Sequence, residues 1–361
     1  MQNTVPPENI FAQVQQQMAE LFLGSAKAYP LLSLINKIEY KETQNSVVYS
    51  DVNVRLLHYE SNSRKRNRTP ILIVYAMINR YQILDVENKS VIKQLLDNGF
   101  DVYLIDWGTT DPNSKMKIND YVNNYMDKCV DIVRNNSGCD KVTLLGYCMG
   151  GTFSTIYTSL HSEKVKNLVT VAPPIDSSKD TTVFGTFAKH LDVDTVVDTV
   201  GNIPPTLQHF FFLMLKPFKH YVEKYNQVVE RSQDDIYLKN FLYSEKWLWD
   251  TPPIPGEVFR QWVKDVYQKN LLAKNRLRVG GAHINLQDID TPLLNVVAEF
   301  DHLVSPNSSK VLNDLVSSKD KSLMSFQTGH TGLCASEFSQ KEVWPRVIGW
   351  LTDRSSEGVF E

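Results

Sequence analysis

The 361-residue sequence has few cysteines, little net charge and no long hydrophobic run. Its four cysteines include no C-x-x-C pair, so their spacing suggests neither a zinc site nor a disulfide framework. A net charge of −3 provides no general attraction to nucleic acid or to an anionic membrane, and we expect no nucleic-acid partner. The densest apolar run, FFFLML at 210–215, is far too short to cross a bilayer.

The first residues, MQNTVPPENIF, lack a basic segment followed by an apolar core, so we expect no secretory signal. Hydrophobic residues make up 42% of the chain and charged residues 22%, which is typical of soluble globular proteins. We therefore expect a cytoplasmic protein whose thiols stay reduced. The basic run at 64–66, followed by Arg68, is interpreted as a solvated loop.

Apolar segments alternate with amphipathic segments along much of the chain. Buried strands are predicted at 70–76, 101–107, 141–146, 165–172, 291–300 and 322–327, after a strand pair at 47–60 with a turn near Ser50-Asp51. Helices are predicted at 90–99, 118–138, 307–316 and 341–351. Strands alternating with helices predict an α/β protein with a mostly parallel central sheet and helices on both faces.

The alternation of predicted strands and helices stops near Pro173-Pro174. An aromatic-rich, mainly helical stretch follows, and the alternation then resumes. We interpret this stretch as a cap inserted into one α/β domain. The predicted organisation is an N-terminal helical segment at 1–45 with an amphipathic helix at 9–36, a first core part at 46–175, a cap at 176–290 and a second core part at 291–361.

Residues 144–152 read LLGYCMGGT, in which a hydrophobic strand runs into a glycine-flanked Cys148. A nucleophile placed on a sharp strand-to-helix turn needs small neighbours, because the backbone there is strained and closely approached. Gly146 and Gly150 meet this need, and the pattern predicts the nucleophile elbow of an α/β-hydrolase fold. The alternative is a buried structural cysteine beside a tight turn.

Chain order then predicts the partners of Cys148, since an α/β-hydrolase carries its acid after a later strand and its histidine last. Asp301 follows the strand LLNVVAEF, and His330 follows SLMSFQ in a glycine-flanked TGHTG loop. Of the other seven histidines only His302 competes, and we expect it to face the substrate or support the site. The alternatives are a loop-capping role for Asp301 and a buried structural role for His330.

The oxyanion hole needs two backbone N–H groups. Met149, directly after the nucleophile, is predicted to supply one, and the loop after the first core strand, with Ala76 and Met77, the other. Tyr75 in this loop and Trp107 after the strand DVYLID are candidate substrate contacts. For Trp107, packing in the core is an equally good interpretation.

A cysteine at the elbow centre favours acyl transfer over hydrolysis. A thiolate paired with histidine is a strong nucleophile near neutral pH. It exchanges with another thioester at little free-energy change, so the bound acyl group stays activated for transfer to an alcohol. We therefore expect a coenzyme A thioester as the acyl donor.

These residues and several motifs resemble the catalytic subunit of two-subunit poly(3-hydroxyalkanoate) synthases, the short type classed as III or IV. The similar segments are ILIVYAMIN with Arg80, FDVYLIDWG (100–108), LLGYCMGGT, VDTVGNIPP (197–205), PGEVFRQWVKDVYQKN (255–270), FDHLVSP (300–306) and TGH (328–330). GNIPP and PGEVFRQW lie in the cap, where hydrolases in general share no pattern. The family's nucleophile, acid and histidine fall on Cys148, Asp301 and His330.

The resemblance implies an acyltransferase that polymerises (R)-3-hydroxyacyl-CoA, usually with short-chain units such as 3-hydroxybutyryl-CoA, and releases CoA. Cys148 would carry the acyl unit or growing chain, His330 would deprotonate it, and Asp301 would orient His330 or help to activate the attacking 3-hydroxyl. No cofactor besides the CoA substrate is implied. The family further implies a homodimer, a smaller E- or R-type partner subunit, a cap that opens on dimerisation, and location on cytoplasmic polyester granules.

Two other function classes remain open. One is a Cys-dependent hydrolase, such as a thioesterase, a dienelactone hydrolase-like enzyme or a polyester depolymerase. The other is a granule-bound scaffold that has lost its chemistry. The hydrophobic cap centre, FFFLMLKPF at 210–218, suits a water-poor site from which an apolar product leaves, although these aromatics equally suit the cap's own core.

Overall fold

The computed structural model describes residues 33–40, 42–63, 67–215 and 224–355. Most of the predicted N-terminal helix and the basic run at 64–66 lie outside these ranges. The last part of the helix prediction falls on a 3-10 turn at Ser33–Lys37. Within the described ranges, no helix is long and apolar enough to span a membrane.

An eight-stranded sheet forms the centre of the structure, with the strand order β1-β2-β6-β3-β7-β8-β11-β12. The strands are β1 (Ser46–Asp51), β2 (Val54–Tyr59), β3 (Ile71–Val74), β4 (Asp85–Val86), β5 (Lys89–Ser90), β6 (Val102–Asp106), β7 (Val142–Tyr147), β8 (Val165–Val171), β9 (Arg278–Val279), β10 (Ala282–His283), β11 (Leu293–Ala298) and β12 (Lys321–Phe326). Strands β4 with β5 and β9 with β10 form separate two-stranded ribbons.

The pairing confirms the mostly parallel sheet predicted from the sequence. Strand β2 pairs antiparallel with β1 and β6, and the remaining five pairs of the sheet are parallel. Strands β3, β7 and β11 are buried along their whole length, as their continuous apolar sequences require. The predicted turn near Ser50-Asp51 lies two residues further on, at 52–53, where Val52 has a φ of 51°.

Helices fill the connections between the strands. They are α1 (Val91–Asp97), α2 (Asp127–Ser137), α3 (Met149–Leu160), α4 (Val183–His190), α5 (Val193–Val200), α6 (Pro205–Leu215), α7 (Lys224–Glu230), α8 (Asp235–Trp249), α9 (Gly256–Gln261), α10 (Pro306–Lys310), α11 (Leu312–Leu315) and α12 (Trp344–Ser355). A π-helical segment at Asp120–Met126 leads directly into α2, and another at Ser339–Val343 leads into α12. A third, at Trp262–Gln268, directly follows α9.

Local sequence explains where individual helices begin and end. The Ser90 side chain accepts a hydrogen bond from the Lys93 amide at 2.8 Å, which satisfies one free N–H group at the start of α1. Helix α2 ends at Gly138, whose φ of 64° suits a residue without a side chain. The single helix predicted at 307–316 is divided into α10 and α11 at Val311.

The contacts divide the chain into two compact units. One comprises residues up to Tyr40 together with Pro205–Asp250, and the other comprises Lys41–Pro204 with Thr251–Glu361. The predicted cap at 176–290 therefore contains residues of both units, with α4, α5 and α9 in the same unit as the sheet. The cap boundaries stay a prediction.

The unit with Pro205–Asp250 has a small hydrophobic core of its own. Val228, Phe241 and Leu242 form its buried centre, and Leu34, Ile35 and Ile38 of the N-terminal segment pack against it. The Tyr40 and Tyr243 rings meet edge to face with their centroids 5.3 Å apart. The segment before the sheet is thus held to α8 by apolar and aromatic contacts.

The GNIPP and PGE motifs contact each other within the unit that holds the sheet. Ile203 and Ile254 form an isolated antiparallel bridge. The Asn202 side chain accepts a hydrogen bond from the Gly256 amide at 2.9 Å and donates one to the Asp111 carbonyl at 2.8 Å. These contacts therefore hold the two motifs together and connect them to the loop after β6.

Candidate active site

Cys148 is the single residue between strand β7 and helix α3. Its φ of 54° and ψ of −124° lie in a region that residues with a side chain rarely adopt. The turn is held from both sides, because the Cys148 amide donates to the Val171 carbonyl at 2.8 Å and its carbonyl accepts from the Gly151 amide at 2.8 Å. Cys148 as a whole is partly exposed.

The glycines around Cys148 are required by close backbone approach. A Cβ atom on Gly146 would lie 2.5 Å from the Gly150 carbonyl oxygen, and one on Gly150 would lie 2.0 Å from the Val74 carbonyl oxygen. Both distances are far shorter than any side chain tolerates. The start of α3 is therefore pressed against the end of β3, and the loop that follows β3 lies beside the nucleophile turn.

Asp301 lies in the turn after β11 and is buried. Its Oδ1 accepts the amides of Leu303 and Val304 at 2.8 and 3.0 Å, and its Oδ2 accepts from Nδ1 of His330 at 2.6 Å. Burial alone would raise the pKa of this carboxyl. The charge and hydrogen bond of His330, together with the two amides, outweigh burial and lower the pKa below its usual value of 3.8.

His330 follows β12 and is also buried. Its Nδ1 pairs with Oδ2 of Asp301 at 2.6 Å, and Cys148 is near enough to interact electrostatically with the imidazole. Burial disfavours the charged imidazolium, but the attraction of Asp301 and Cys148 outweighs it and raises the pKa of His330 well above 6.5. Asp301 and Cys148 thus both favour the charged form of the imidazole.

The structure brings the three predicted residues Cys148, Asp301 and His330 together from three separate strand ends. A thiol, an imidazole and a carboxylate linked in this order can carry out nucleophilic catalysis, with the imidazole moving a proton to and from the sulfur. Among the described residues, no group of three or more His, Cys, Asp or Glu side chains is placed to hold a metal ion.

The three residues predicted for the oxyanion hole lie on two adjacent backbone segments. Met149 is the first residue of α3, where amides have no acceptor within the helix and the helix dipole favours negative charge. Ala76 and Met77 are buried in the loop after β3, next to the turn that Gly150 packs against. Which of their amides faces the oxyanion stays a prediction.

The three residues predicted to contact substrate differ in their surroundings. The Tyr75 ring is buried and stacks on Tyr147, with centroids 5.5 Å apart and planes 9° apart. The Trp107 indole is partly buried, donates to the Tyr75 carbonyl at 2.9 Å and meets Tyr121 edge to face. His302 is partly buried directly after Asp301. Their contact with substrate stays a prediction.

Sequence reasoning missed two tyrosines near the triad. The Tyr147 hydroxyl donates to the His330 carbonyl at 3.2 Å. Tyr267 is buried in the PGEVFRQWVKDVYQKN segment, and burial, followed by the charges of Asp180, Cys148 and Asp301, raises the pKa of its phenol. The segment itself was singled out by its motif, but periodicity does not indicate which of its aromatics approaches the site.

Two family profiles match this chain. The profile described as alpha/beta hydrolase fold matches residues 69–333, which is more than half of the sequence. The profile described as Poly-beta-hydroxybutyrate polymerase (PhaC) N-terminus matches residues 37–95.

Curated relatives named poly(3-hydroxyalkanoate) polymerase subunit PhaC are similar over most of the chain. The protein of Haloferax mediterranei is 40% identical over 350 residues, which cover 96% of this chain and 71% of that protein. The protein of Allochromatium vinosum is 43% identical over 311 residues, covering 85% and 88%. The protein of Synechocystis sp. is 39% identical over 321 residues, covering 86% and 85%.

Solved structures with the same architecture are much more distant in sequence. A monoacylglycerol lipase of Paleococcus ferrophilus superposes with a TM-score of 0.54 at 18% identity, covering 84% of this chain and 100% of the lipase. A soluble variant of the Saccharomyces cerevisiae monoglyceride lipase superposes with a TM-score of 0.54 at 13% identity, covering 88% and 98%. At these identities the likeness establishes the α/β-hydrolase fold alone.

Proposed function

The chain belongs to the family of poly(3-hydroxyalkanoate) polymerase PhaC subunits, and we propose that Cys148 carries the acyl group during polymerisation. The protein is thus an acyltransferase that builds polyester from 3-hydroxyacyl units. The observation that supports a role for Cys148 most directly is the placement of His330, which is paired with Asp301 at 2.6 Å and interacts electrostatically with Cys148.

In the first half-reaction the Cys148 thiolate attacks the thioester carbon of (R)-3-hydroxyacyl-CoA. His330 takes the proton of the thiol, which the raised pKa of this imidazole favours. The carbonyl oxygen becomes an oxyanion that accepts hydrogen bonds from the Met149 amide and from an amide of the Ala76–Met77 loop. When the oxyanion collapses, the bond to the CoA sulfur breaks, CoA leaves with the proton from His330, and Cys148 holds a thioester.

In the second half-reaction the acyl group moves from sulfur to oxygen. A 3-hydroxyl group attacks the Cys148 thioester, and His330 takes its proton as the carbon–oxygen bond forms. The carbon–sulfur bond then breaks, which yields an ester and returns Cys148 to its thiolate form paired with the His330 imidazolium. The chain has grown by one ester bond.

The Asp301 geometry favours an orienting role over direct activation of the 3-hydroxyl. One carboxylate oxygen is occupied by the amides of Leu303 and Val304, and the other by the His330 ring. A carboxylate held in this way fixes the orientation of the imidazole and stabilises its positive charge.

The finer features of the function follow from the family and are proposals for this chain. We expect short-chain donors such as 3-hydroxybutyryl-CoA, no cofactor besides the CoA substrate, and Tyr75, Trp107 and His302 near the acyl unit. We also expect a homodimer, a smaller E- or R-type subunit and attachment to polyester granules. The name "subunit" that the relatives carry supports a multi-subunit synthase.

The test is to add 3-hydroxybutyryl-CoA to the purified protein, with and without a co-expressed partner subunit, and to follow free CoA, polymer and free hydroxy acid together. We expect CoA release in step with polymer, little free acid, and no activity in Cys148→Ala. Free acid as the main product would establish a hydrolase instead. Unchanged polymer synthesis by Cys148→Ala would show that this thiol does not carry the acyl group.

A further inference from the structure

Tyr147, the last residue of β7, connects the backbone beside the nucleophile to the backbone of the base. Its hydroxyl donates a hydrogen bond to the His330 carbonyl at 3.2 Å, across 183 residues of sequence. The side chain is 3% exposed. Because Tyr147 directly precedes Cys148, this bond ties the backbone beside the nucleophile to the backbone of His330.

The Tyr147 ring contacts the other parts of the site as well. It lies against the His330 imidazole with the centroids 5.1 Å apart and the planes at 57°. The Tyr147 ring also stacks on the Tyr75 ring, with the centroids 5.5 Å apart. Tyr75 lies in the loop that leads to Ala76 and Met77. One side chain thus touches the base, the oxyanion loop and, through the peptide chain, the nucleophile.

The hydroxyl of Tyr147 is a reliable donor. Burial, followed by the nearby Cys334, Tyr75, Cys148 and Asp301, raises the pKa of the phenol well above 10, so the proton stays on the oxygen throughout the working range. The His330 carbonyl also accepts the Leu333 amide at a longer 3.3 Å. The tyrosine bond is therefore one of two that fix this peptide group.

From these contacts we propose that Tyr147 is a positioning residue, which holds the His330 imidazole at the correct distance and angle from the Cys148 sulfur. This inference rests on the proposed roles of Cys148 and His330. Without the bond, the loop carrying His330 is free to move relative to β7, and small errors in alignment slow proton transfer and attack. We expect no change in substrate binding, because the Tyr147 ring is buried.

Two other buried groups provide matched controls for Tyr147→Phe. The Tyr157 hydroxyl, in the middle of α3, donates to the Asp127 carboxylate at 2.7 Å, so Tyr157→Phe removes the same atom and a hydrogen bond elsewhere. Cys334 is buried and lies near the Tyr147 side chain. Cys334→Ala changes the packing beside Tyr147 but leaves its bond to His330 in place.

The experiment measures kcat and KM for CoA release from 3-hydroxybutyryl-CoA and follows His330 by NMR of 13C-labelled histidine as pH is raised. The titratable groups around the imidazole are Asp301, Cys148 and Tyr147, and Tyr75 and Cys334 lie near Tyr147. For Tyr147→Phe we expect kcat to fall about tenfold at unchanged KM, because the variant loses one aligned hydrogen bond. The midpoint of the His330 titration should fall by about half a pH unit, because the imidazole is held less closely to its two partners.

Tyr157→Phe and Cys334→Ala should leave both the kcat and the His330 titration near those of the unchanged protein. Placing p-aminophenylalanine at position 147, which restores an N–H donor, should recover most of kcat even if Tyr147→Phe folds poorly. A His330 titration and a kcat in Tyr147→Phe that match the unchanged protein would overturn the inference. If the unchanged protein never forms an acyl-Cys148, the proposed function fails instead, independently of Tyr147.

Discussion

Two histidine–aspartate pairs lie at opposite ends of the central sheet. His330 and Asp301 follow the carboxyl ends of β12 and β11, with 2.6 Å between the ring nitrogen and the carboxylate and side chains only 5% and 1% exposed. His58 and Asp101 lie at the amino end of β6, 2.9 Å apart, with side chains 20% and 32% exposed. The two pairs contain the same groups at nearly the same distance.

What distinguishes the pairs is their third partner and their surroundings. The His330 side chain also interacts electrostatically with Cys148, whereas the His58 ring stacks flat on Tyr103 at 4.2 Å. A histidine next to an aspartate is therefore not a site by itself. The chemistry needs burial, which strengthens the electrostatic interactions, and a nucleophile held on the second ring nitrogen.

The largest expected difference between the two ends is in the rate of polymerisation. His330→Gln should lower kcat about 1,000-fold, because the proton of the thiol loses its acceptor. His58→Gln, which removes the equivalent bond at the amino end, should change kcat by less than about twofold. CoA release from 3-hydroxybutyryl-CoA measures both. A comparable loss in the two variants would mean that the carboxyl-end pair has no special role.

A smaller difference concerns close backbone packing at the carboxyl end. Gly150→Ala places a Cβ atom 2.0 Å from the Val74 carbonyl oxygen, and we expect it to lower the free energy of unfolding by about 3 kcal/mol. Gly349→Ala is the matched control, since a Cβ there meets no atom within 4 Å and α12 gains helix propensity. Urea unfolding measures both, and equal stability of the two variants would contradict the tight turn.

The smallest expected difference is in the pH dependence of stability. The raised pKa of His330 stabilises the fold fully below its unfolded value near 6.5, and this contribution is lost as pH rises through the folded value. The lowered pKa of Asp301 stabilises the fold above 3.8, and this contribution is lost as pH falls through the folded value. The coupling between the two side chains should therefore be greatest between these limits.

Double-mutant cycles with urea unfolding measure this coupling. Asp301→Asn with His330→Gln should show about 2 kcal/mol near pH 6, decreasing steadily as pH is raised. Asp101→Asn with His58→Gln should show below about 1 kcal/mol, because solvent screens this more exposed pair. A coupling for Asp301 and His330 that grows toward alkaline pH would show that His330 is neutral in the folded protein.

The sequence predicted the strands well, because they depend on local pattern. Continuous apolar runs such as ILIV and VTLLGY identify buried parallel strands, and the residues after them lie at one edge of the sheet. The positions of Cys148, Asp301 and His330 after three such strands follow from this rule. The turn between β1 and β2 lies two residues after the predicted position, because a valine in the sequence does not indicate a positive φ such as that of Val52.

Contacts between distant segments could not be predicted in this way. The Tyr147 bond to His330 depends on how the loop after β12 folds back onto β7, and Trp107 bonding to the Tyr75 carbonyl depends on the adjacency of β3 and β6. The division of the predicted cap between two units likewise depends on the contacts of Leu34, Ile35 and Ile38 with α8. The periodicity of the sequence does not indicate which distant segments contact each other.

The central claim is that the sulfur at position 148 receives the acyl group and passes it to a hydroxyl. Its most direct test is rapid acid quenching after mixing with radiolabelled 3-hydroxybutyryl-CoA, followed by peptide mass spectrometry. We expect one hydroxybutyryl unit or a longer oligomer on the peptide that contains Cys148. Hydroxylamine, under conditions that cleave thioesters, should release it. In Cys148→Ser treated in the same way, this label should be absent. Label found on another residue, or on no residue while polymer accumulates, would contradict it.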